Sequence, residues 1–180
     1  MIRLFVALEL PDRVRDRLSG LCNGVPDVRW VEPANMHLTL RFIGEVEEPL
    51  LPEIDHALSN VRSSGFSLTL EGVDIFGDRR RARTLWAGVQ GCESLKVLQG
   101  RIESALVWAG LDAEPRKLHP HVTLARLKGM KVDKLVSYLE VNAAFRSEAF
   151  PLSEFVLYSS SLGRSGAVYA PEARYPLISA

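Results

Sequence analysis

The residues best suited to chemistry in this 180-residue chain are His37 and His121, each followed two positions later by a threonine, in His37-Leu38-Thr39-Leu40 and His121-Val122-Thr123-Leu124. An imidazole titrates near ~6.5 and can therefore take or give a proton around neutral pH. A threonine hydroxyl can donate to an anionic oxygen. Side chains alternate between the faces of a strand, so each histidine shares a face with its own threonine while the leucines point the other way. The two motifs lie nearly half a chain length apart, which suggests a duplicated architecture. If a pseudo-two-fold axis relates the halves, both His-Thr faces line one cleft and the two imidazoles can divide acid and base duties. A single His-x-Thr in a strand is usually structural. The pair stands out because the flanks match as well: Met36 to Gly44 and Pro120 to Gly129 both run from an apolar alternation into glycine.

The elements that would position these motifs follow from periodicity. Ile2 to Leu8 reads as a buried first strand. Val14, Leu18, Leu21 and Cys22 recur at helical spacing, with Gly24 as a left-handed stop. Val28 to Val31 is short and extended, and Pro33-Ala34-Asn35 is a turn before the first motif strand, about Met36 to Ile43. A helix over about Pro49 to Val61 leaves His56 facing solvent. Phe66 to Leu70 and Thr84 to Val89 read as strands, and Glu93 to Ala109 as a helix closed by Gly110. The second motif strand spans about Leu118 to Leu127. Another helix runs through Val132 to Leu139, and strands over Phe150 to Ser159 and Ala167 to Ile178 end the chain. Interleaved strands and helices in two comparable halves predict an α+β fold. No glycine-rich phosphate loop supports a doubly wound nucleotide-binding fold.

Composition narrows the partners. An apolar fraction of 47% is ample for a core, and 22 basic residues balance 22 acidic ones, so the chain has no general attraction for long nucleic acid. Any contact with nucleic acid must be local, and the one concentrated basic stretch is Arg79, Arg80, Arg81 and Arg83. The apolar run Leu4 to Leu8 is too short for a signal peptide or a membrane span, which reads as a soluble, cytoplasmic protein. Cys22 and Cys92 have no metal or redox spacing and read as reduced core thiols.

The motifs give the chain its resemblance to a known family. Arg3-Leu4-Phe5-Val6-Ala7, Met36-His37-Leu38-Thr39-Leu40 running to Gly44, His119-Pro120-His121-Val122-Thr123-Leu124-Ala125-Arg126 and Leu157-Tyr158-Ser159-Ser160 are similar to the 2H phosphoesterases. Within that superfamily they resemble the RNA 2′,3′-cyclic phosphodiesterases, also labelled 2′-5′ RNA ligases. The resemblance implies a single bilobal domain over residues 1–180, with two pseudo-symmetric lobes of antiparallel sheet and flanking helices around a central cleft. It implies opening of a 2′,3′-cyclic phosphate to a 2′-phosphate with no cofactor or metal, and with reverse 2′-5′ ligation as a further possibility. The partners implied are RNA ends, such as those of tRNA splicing, or nucleoside 2′,3′-cyclic phosphates, but neither DNA nor a membrane, and the protein is expected to be a monomer. His37 is then the general acid and His121 the general base, while Thr39 and Thr123 hold the phosphate oxygens. Phe42 and Arg126, each five residues after its histidine, would hold the base. Strand parity puts these two opposite the histidines, so the carry-over requires a bulge or a strand end. Parity puts Arg41 on the His37 face, where it is the candidate for a phosphate contact.

Two other readings stay open. His119, two residues before His121, would share its strand face, and with His37 the three could bind zinc and leave a position for water. No carboxylate pattern completes that set, and the paired threonines would be unexplained. The chain could also be a non-catalytic module that binds RNA ends.

Overall fold

The computed structural model describes residues 1–78 and 80–179. Its frame is an eight-stranded antiparallel sheet formed from β1 (Ile2–Glu9), β2 (Arg29–Trp30), β3 (His37–Val46), β5 (Leu70–Asp78), β6 (Arg81–Val89), β7 (His121–Met130), β9 (Glu154–Gly163) and β10 (Gly166–Pro176). A separate short ribbon pairs β4 (Phe66–Leu68) with β8 (Phe150–Leu152). The strand order is β10-β9-β1-β3-β7-β6-β5, with β2 lying beside β7. The two motif strands thus meet at the centre of the sheet, but they pair there at one position only, Leu38 with Val122. From that point β3 continues along β1 and β7 along β6, so the sheet divides into two halves. This is the α+β, two-lobed architecture expected from the sequence.

Among the described residues the four α-helices are α1 (Asp12–Ser19), α2 (Leu51–Ser59), α3 (Glu93–Trp108) and α4 (Val136–Asn142). Each sends apolar residues into one continuous core: Val14 and Leu18, Ile54 and Leu58, Leu98, Ile102 and Leu106, and Tyr138. Their sheet partners are alternate residues such as Leu4, Val6 and Leu8 of β1. The other face of β1 and β9 carries a small second cluster, Phe5, Ala7, Val156 and Tyr158. β1 is therefore buried on both faces from Leu4 to Leu8, as its composition suggested, and only its ends reach solvent.

Other boundaries shift for local reasons. α1 stops at Ser19, before the Gly24 stop: the Gly20 amide still donates four residues back to Asp16, but the Leu21 and Cys22 amides donate only three back, to Leu18 and Ser19, in tighter turns. The run from Phe150 to Ser159 breaks at Ser153 into β8 and β9, which join different sheets. Gly110, at φ +96°, ends α3 as expected. Cys22 and Cys92 lie just outside helices and are half-buried free thiols, and burial pushes the Cys22 thiol up to about 11. No helix among the described residues is long and apolar enough to cross a membrane.

Candidate active site

The parity problem at Phe42 and Arg126 is solved by paired irregularities in the motif strands. Along β1 and β3, Val6 pairs with Arg41 but Ala7 pairs with Thr39, so Leu40 is an extra residue. Along β6 and β7, Leu85 pairs with Ala125 but Trp86 pairs with Thr123, so Leu124 is extra at the matching position. A bulge of this kind resets the alternation of side chains. Leu40 and Arg41 both turn to the buried side, as do Leu124 and Ala125, and the next residues, Phe42 and Arg126, return to the face of the histidines.

His37, Thr39, Phe42, His121, Thr123 and Arg126 consequently line one cavity of about 530 Å³ between the lobes. A larger, open groove of about 1290 Å³ lies between α2 and α3 but presents no pair of matched ionisable motifs. Convergence of polar groups, not volume, selects the cleft as the site.

The two histidines are held in the same way. His37 Nδ1 lies 2.7 Å from the Asn35 carbonyl and His121 Nδ1 lies 2.7 Å from the His119 carbonyl, in each case the residue two positions upstream. A carbonyl only accepts, so in each neutral ring Nδ1 carries the proton and Nε2 keeps its lone pair. Aromatic side chains fix the ring planes. His37 lies 4.8 Å from Phe5 and edge-on to Tyr169 at 5.2 Å; His121 lies edge-on to Phe76 at 4.7 Å, with Trp86 at 6.0 Å. Sequence reasoning missed these aromatic walls and the cleft residue Arg3, whose guanidinium stands 5.1 Å from the Phe42 ring centroid. Arg3 and Phe5 were visible as the alternate positions of β1, opposite Leu4 and Val6.

Burial lowers the His37 pKa to about 4, aided by the positive fields of His121, Arg15 and Arg126 and opposed by the Asn35 hydrogen bond. Burial also lowers that of His121, with His119 and Arg126 contributing. Both rings are thus neutral acceptors at pH 7 in the free protein.

Arg41 does not join the cleft. The bulge that returns Phe42 to the histidine face sends Arg41 inward, where it is 7% exposed. Its guanidinium donates to Glu103 at 2.5 Å and to the carbonyls of Phe42 at 2.6 Å and Asp112 at 2.5 Å, so its donors are committed and the expected phosphate contact is not made. The zinc reading also fails geometrically. β7 starts at His121, so His119 precedes the strand; its ring packs against Phe76 and Trp86, the same pair that flanks His121, and does not line the cleft that holds His37. Among the described residues no three His, Cys, Asp or Glu side chains converge. In the Arg-rich hairpin, Asp78 caps the amides of Arg80 and Arg81, and Arg79 lies outside the described residues.

Comparison with known proteins agrees with this geometry. The LigT like Phosphoesterase family matches residues 8–86 and 89–169, one segment per motif. An RNA 2′,3′-cyclic phosphodiesterase of Aeropyrum pernix is 37% identical over 159 residues, covering 87% of this chain and 89% of the relative. A protein of the same name from Escherichia coli is 30% identical over 97% of this chain and 96% of its own. Among solved structures, E. coli LigT complexed with 3′-AMP superposes with a TM-score of 0.81 at 28% identity, covering 98% of each chain.

The buried, neutral His37 makes stability depend on pH. In the unfolded chain this ring takes up a proton near ~6.5, whereas in the folded protein it resists protonation down to about 4. Between those values the unfolded state binds more protons, so the contribution is full above about pH 6.5 and drains away as pH falls toward 4. Urea unfolding from pH 7 to 4 should show wild type losing stability more steeply than His37→Gln. Equal slopes would contradict the assignment of a buried neutral ring.

Proposed function

The chain belongs to the LigT-like phosphoesterase family, and from that premise we propose that it hydrolyses RNA 2′,3′-cyclic phosphate ends to 2′-phosphates by acid and base catalysis shared between His37 and His121. One observation carries the mechanism: two imidazoles in one cleft, each with Nδ1 tied to the carbonyl two residues upstream and Nε2 left as the working nitrogen. The shared name of the relatives from A. pernix and E. coli supports the substrate class, and E. coli LigT has been solved with both 3′-AMP and phosphate. The substrate also sets the nucleic acid, since only a 2′-hydroxyl can close the ring on the 3′-phosphate. On this reading residues 1–180 act as one bilobal domain and as a monomer.

In the proposed reaction, His121 Nε2 takes a proton from water as the water oxygen bonds to phosphorus. The bond from phosphorus to O3′ breaks, and an imidazolium at His37 delivers its Nε2 proton to O3′. The products are a 2′-phosphate and a 3′-hydroxyl. Thr39 and Thr123 donate to the two non-bridging oxygens, where charge is held through the transition state, and no metal is needed for that task. Phe42 and Arg126 offer an aromatic face and a guanidinium plane for the terminal base. A 5′-hydroxyl attacking in place of water gives 2′-5′ ligation. The acid must be charged, yet burial keeps both rings neutral in the free protein. The phosphate anion resolves this conflict, because a negative charge between the rings favours an imidazolium and so raises its pKa. Once formed, the buried His37 imidazolium is a strong acid.

His37→Ala and His121→Ala should each lower turnover of a cyclic RNA end by roughly 10²–10⁴, the range for losing a general acid or base. His119→Ala should cost far less, because the backbone carbonyl that anchors His121 survives the substitution. On a nitrophenyl phosphodiester, whose leaving group needs no proton, His37→Ala should be largely rescued and His121→Ala should not. Rescue of His121→Ala instead would exchange the roles, and rescue of neither would overturn proton transfer by these residues. Prolonged chelation should leave turnover unchanged; a loss restored by zinc would overturn the metal-free mechanism.

The lowered pKa values also set the pH profile. The free enzyme must hold one ring charged and one neutral, and with both values depressed the charged form is already thinning below ~6.5 and grows scarcer as pH rises further. kcat/KM should therefore peak on the acid side of that value and decline through pH 7 to 8, with the kcat profile displaced to higher pH by the bound anion. A kcat/KM that rises from pH 7 to 8 would contradict this electrostatic account.

A further inference from the structure

Beside the cleft lies a second concavity, of about 400 Å³, that shares Thr39, Phe42, Phe76, Arg116 and His121 with it. The shared residues set the two spaces side by side, within one nucleotide's reach of each other for a strand whose end sits between the histidines. The outer wall is the segment joining α3 to β7, which has no regular secondary structure but is pinned from below. Arg41 holds the Asp112 carbonyl, Glu103 accepts the Glu114 amide at 2.8 Å, and the Glu114 carboxylate lies 3.8 Å from Arg41. Glu114 in turn accepts from Arg116 at 2.9 Å, and those hydrogen bonds hold its carboxyl below the usual carboxylate range. The buried Arg41 thus acts as a strut, running from the first motif strand to the approach of the second. It braces the backbone of the segment that carries Arg116 and Lys117. Lys117 lines only the side cavity, and the one carboxylate there, that of Glu114, is already neutralised by two arginines.

We propose that this side cavity binds the nucleotide immediately 5′ to the cyclic end, with Arg116 and Lys117 facing the phosphodiester that joins the two nucleotides. The inference rests on the reading of the cleft as a cyclic-phosphate site. The terminal nucleoside leaves the cleft through its 5′-oxygen, and the bond that follows carries one negative charge. A pinned cation beside the opening meets that charge with little ordering cost. The other basic feature, Arg80, Arg81 and Arg83 at the β5–β6 turn, contributes no side chain to the lining of either cavity among the described residues.

The test compares kcat/KM for a nucleoside 2′,3′-cyclic phosphate with that for a dinucleotide bearing the same cyclic end, in wild type, Lys117→Glu and Arg81→Glu. Wild type should favour the dinucleotide by about tenfold at low salt, the scale of one charge-assisted hydrogen bond. That preference should fall with salt, its log–log slope steeper by about 0.7 for one phosphate on a single strand. Lys117→Glu should erase the preference and leave the mononucleotide rate unchanged, a rate that also reports that the variant is folded. No preference in wild type, or a preference that survives Lys117→Glu, would overturn the proposal. Loss in Arg81→Glu alone would move the strand to the β5–β6 edge and overturn it equally. Failure of wild type to turn over the mononucleotide would instead overturn the catalytic reading of the cleft.

Discussion

In each motif strand two consecutive residues, Leu40-Arg41 and Leu124-Ala125, turn to the buried face because the partner strand skips one register position there. That doubled burial is the constraint on which the rest of the site depends. It lets a strand place a histidine, a threonine and, five residues after the histidine, Phe42 or Arg126 on a single face, which a regular strand cannot do. It also anchors the active face, since Leu38, Leu40, Val122, Leu124 and Ala125 are all essentially inaccessible. The same device occurs once per lobe, and the lobes meet at the single Leu38–Val122 pair, so the two catalytic faces converge without lying flat on one continuous sheet.

The second organising feature is electrostatic. Two imidazoles that both titrated near neutrality would repel each other when charged and would lack a defined donor. Burial, aromatic walls and neighbouring arginines push both toward the neutral form, and His37 the further. On the proposed mechanism the site waits in a proton-poor state and acquires its acid with its anionic substrate. On the same proposal, hydroxyls and charged side chains supply what a divalent ion supplies in metal-dependent phosphoesterases.

The fold class and the pairing of motifs were legible in the sequence because both follow from periodicity and repetition, and most helices were found by their apolar stripes. Arg41 was misplaced for an instructive reason. Period 2 puts it on the His37 face, and nothing in Thr39-Leu40-Arg41-Phe42 announces an extra residue; the register against β1 alone reveals it. The resemblance that put Phe42 and Arg126 at the base carried the bulge implicitly. His119 lies beside His121 against Phe76 and Trp86 as the spacing suggested, but ahead of the strand, which starts only after Pro120. The aromatic walls come from β1, β5, β6, β9 and β10, distant in sequence, so only the folded register assembles them.

The central claim is that both histidines present Nε2 as an acceptor in the free protein and that one becomes an imidazolium only beside a phosphate. Long-range ¹H–¹⁵N correlation spectra of the imidazoles at pH 7, recorded free and with a bound nucleoside 2′-phosphate, test it most directly. The account expects two neutral rings protonated at Nδ1 in the free protein and a single ring doubly protonated in the complex. A histidine of the pair protonated at Nε2 in its neutral form, or already charged before the ligand is added, would contradict it.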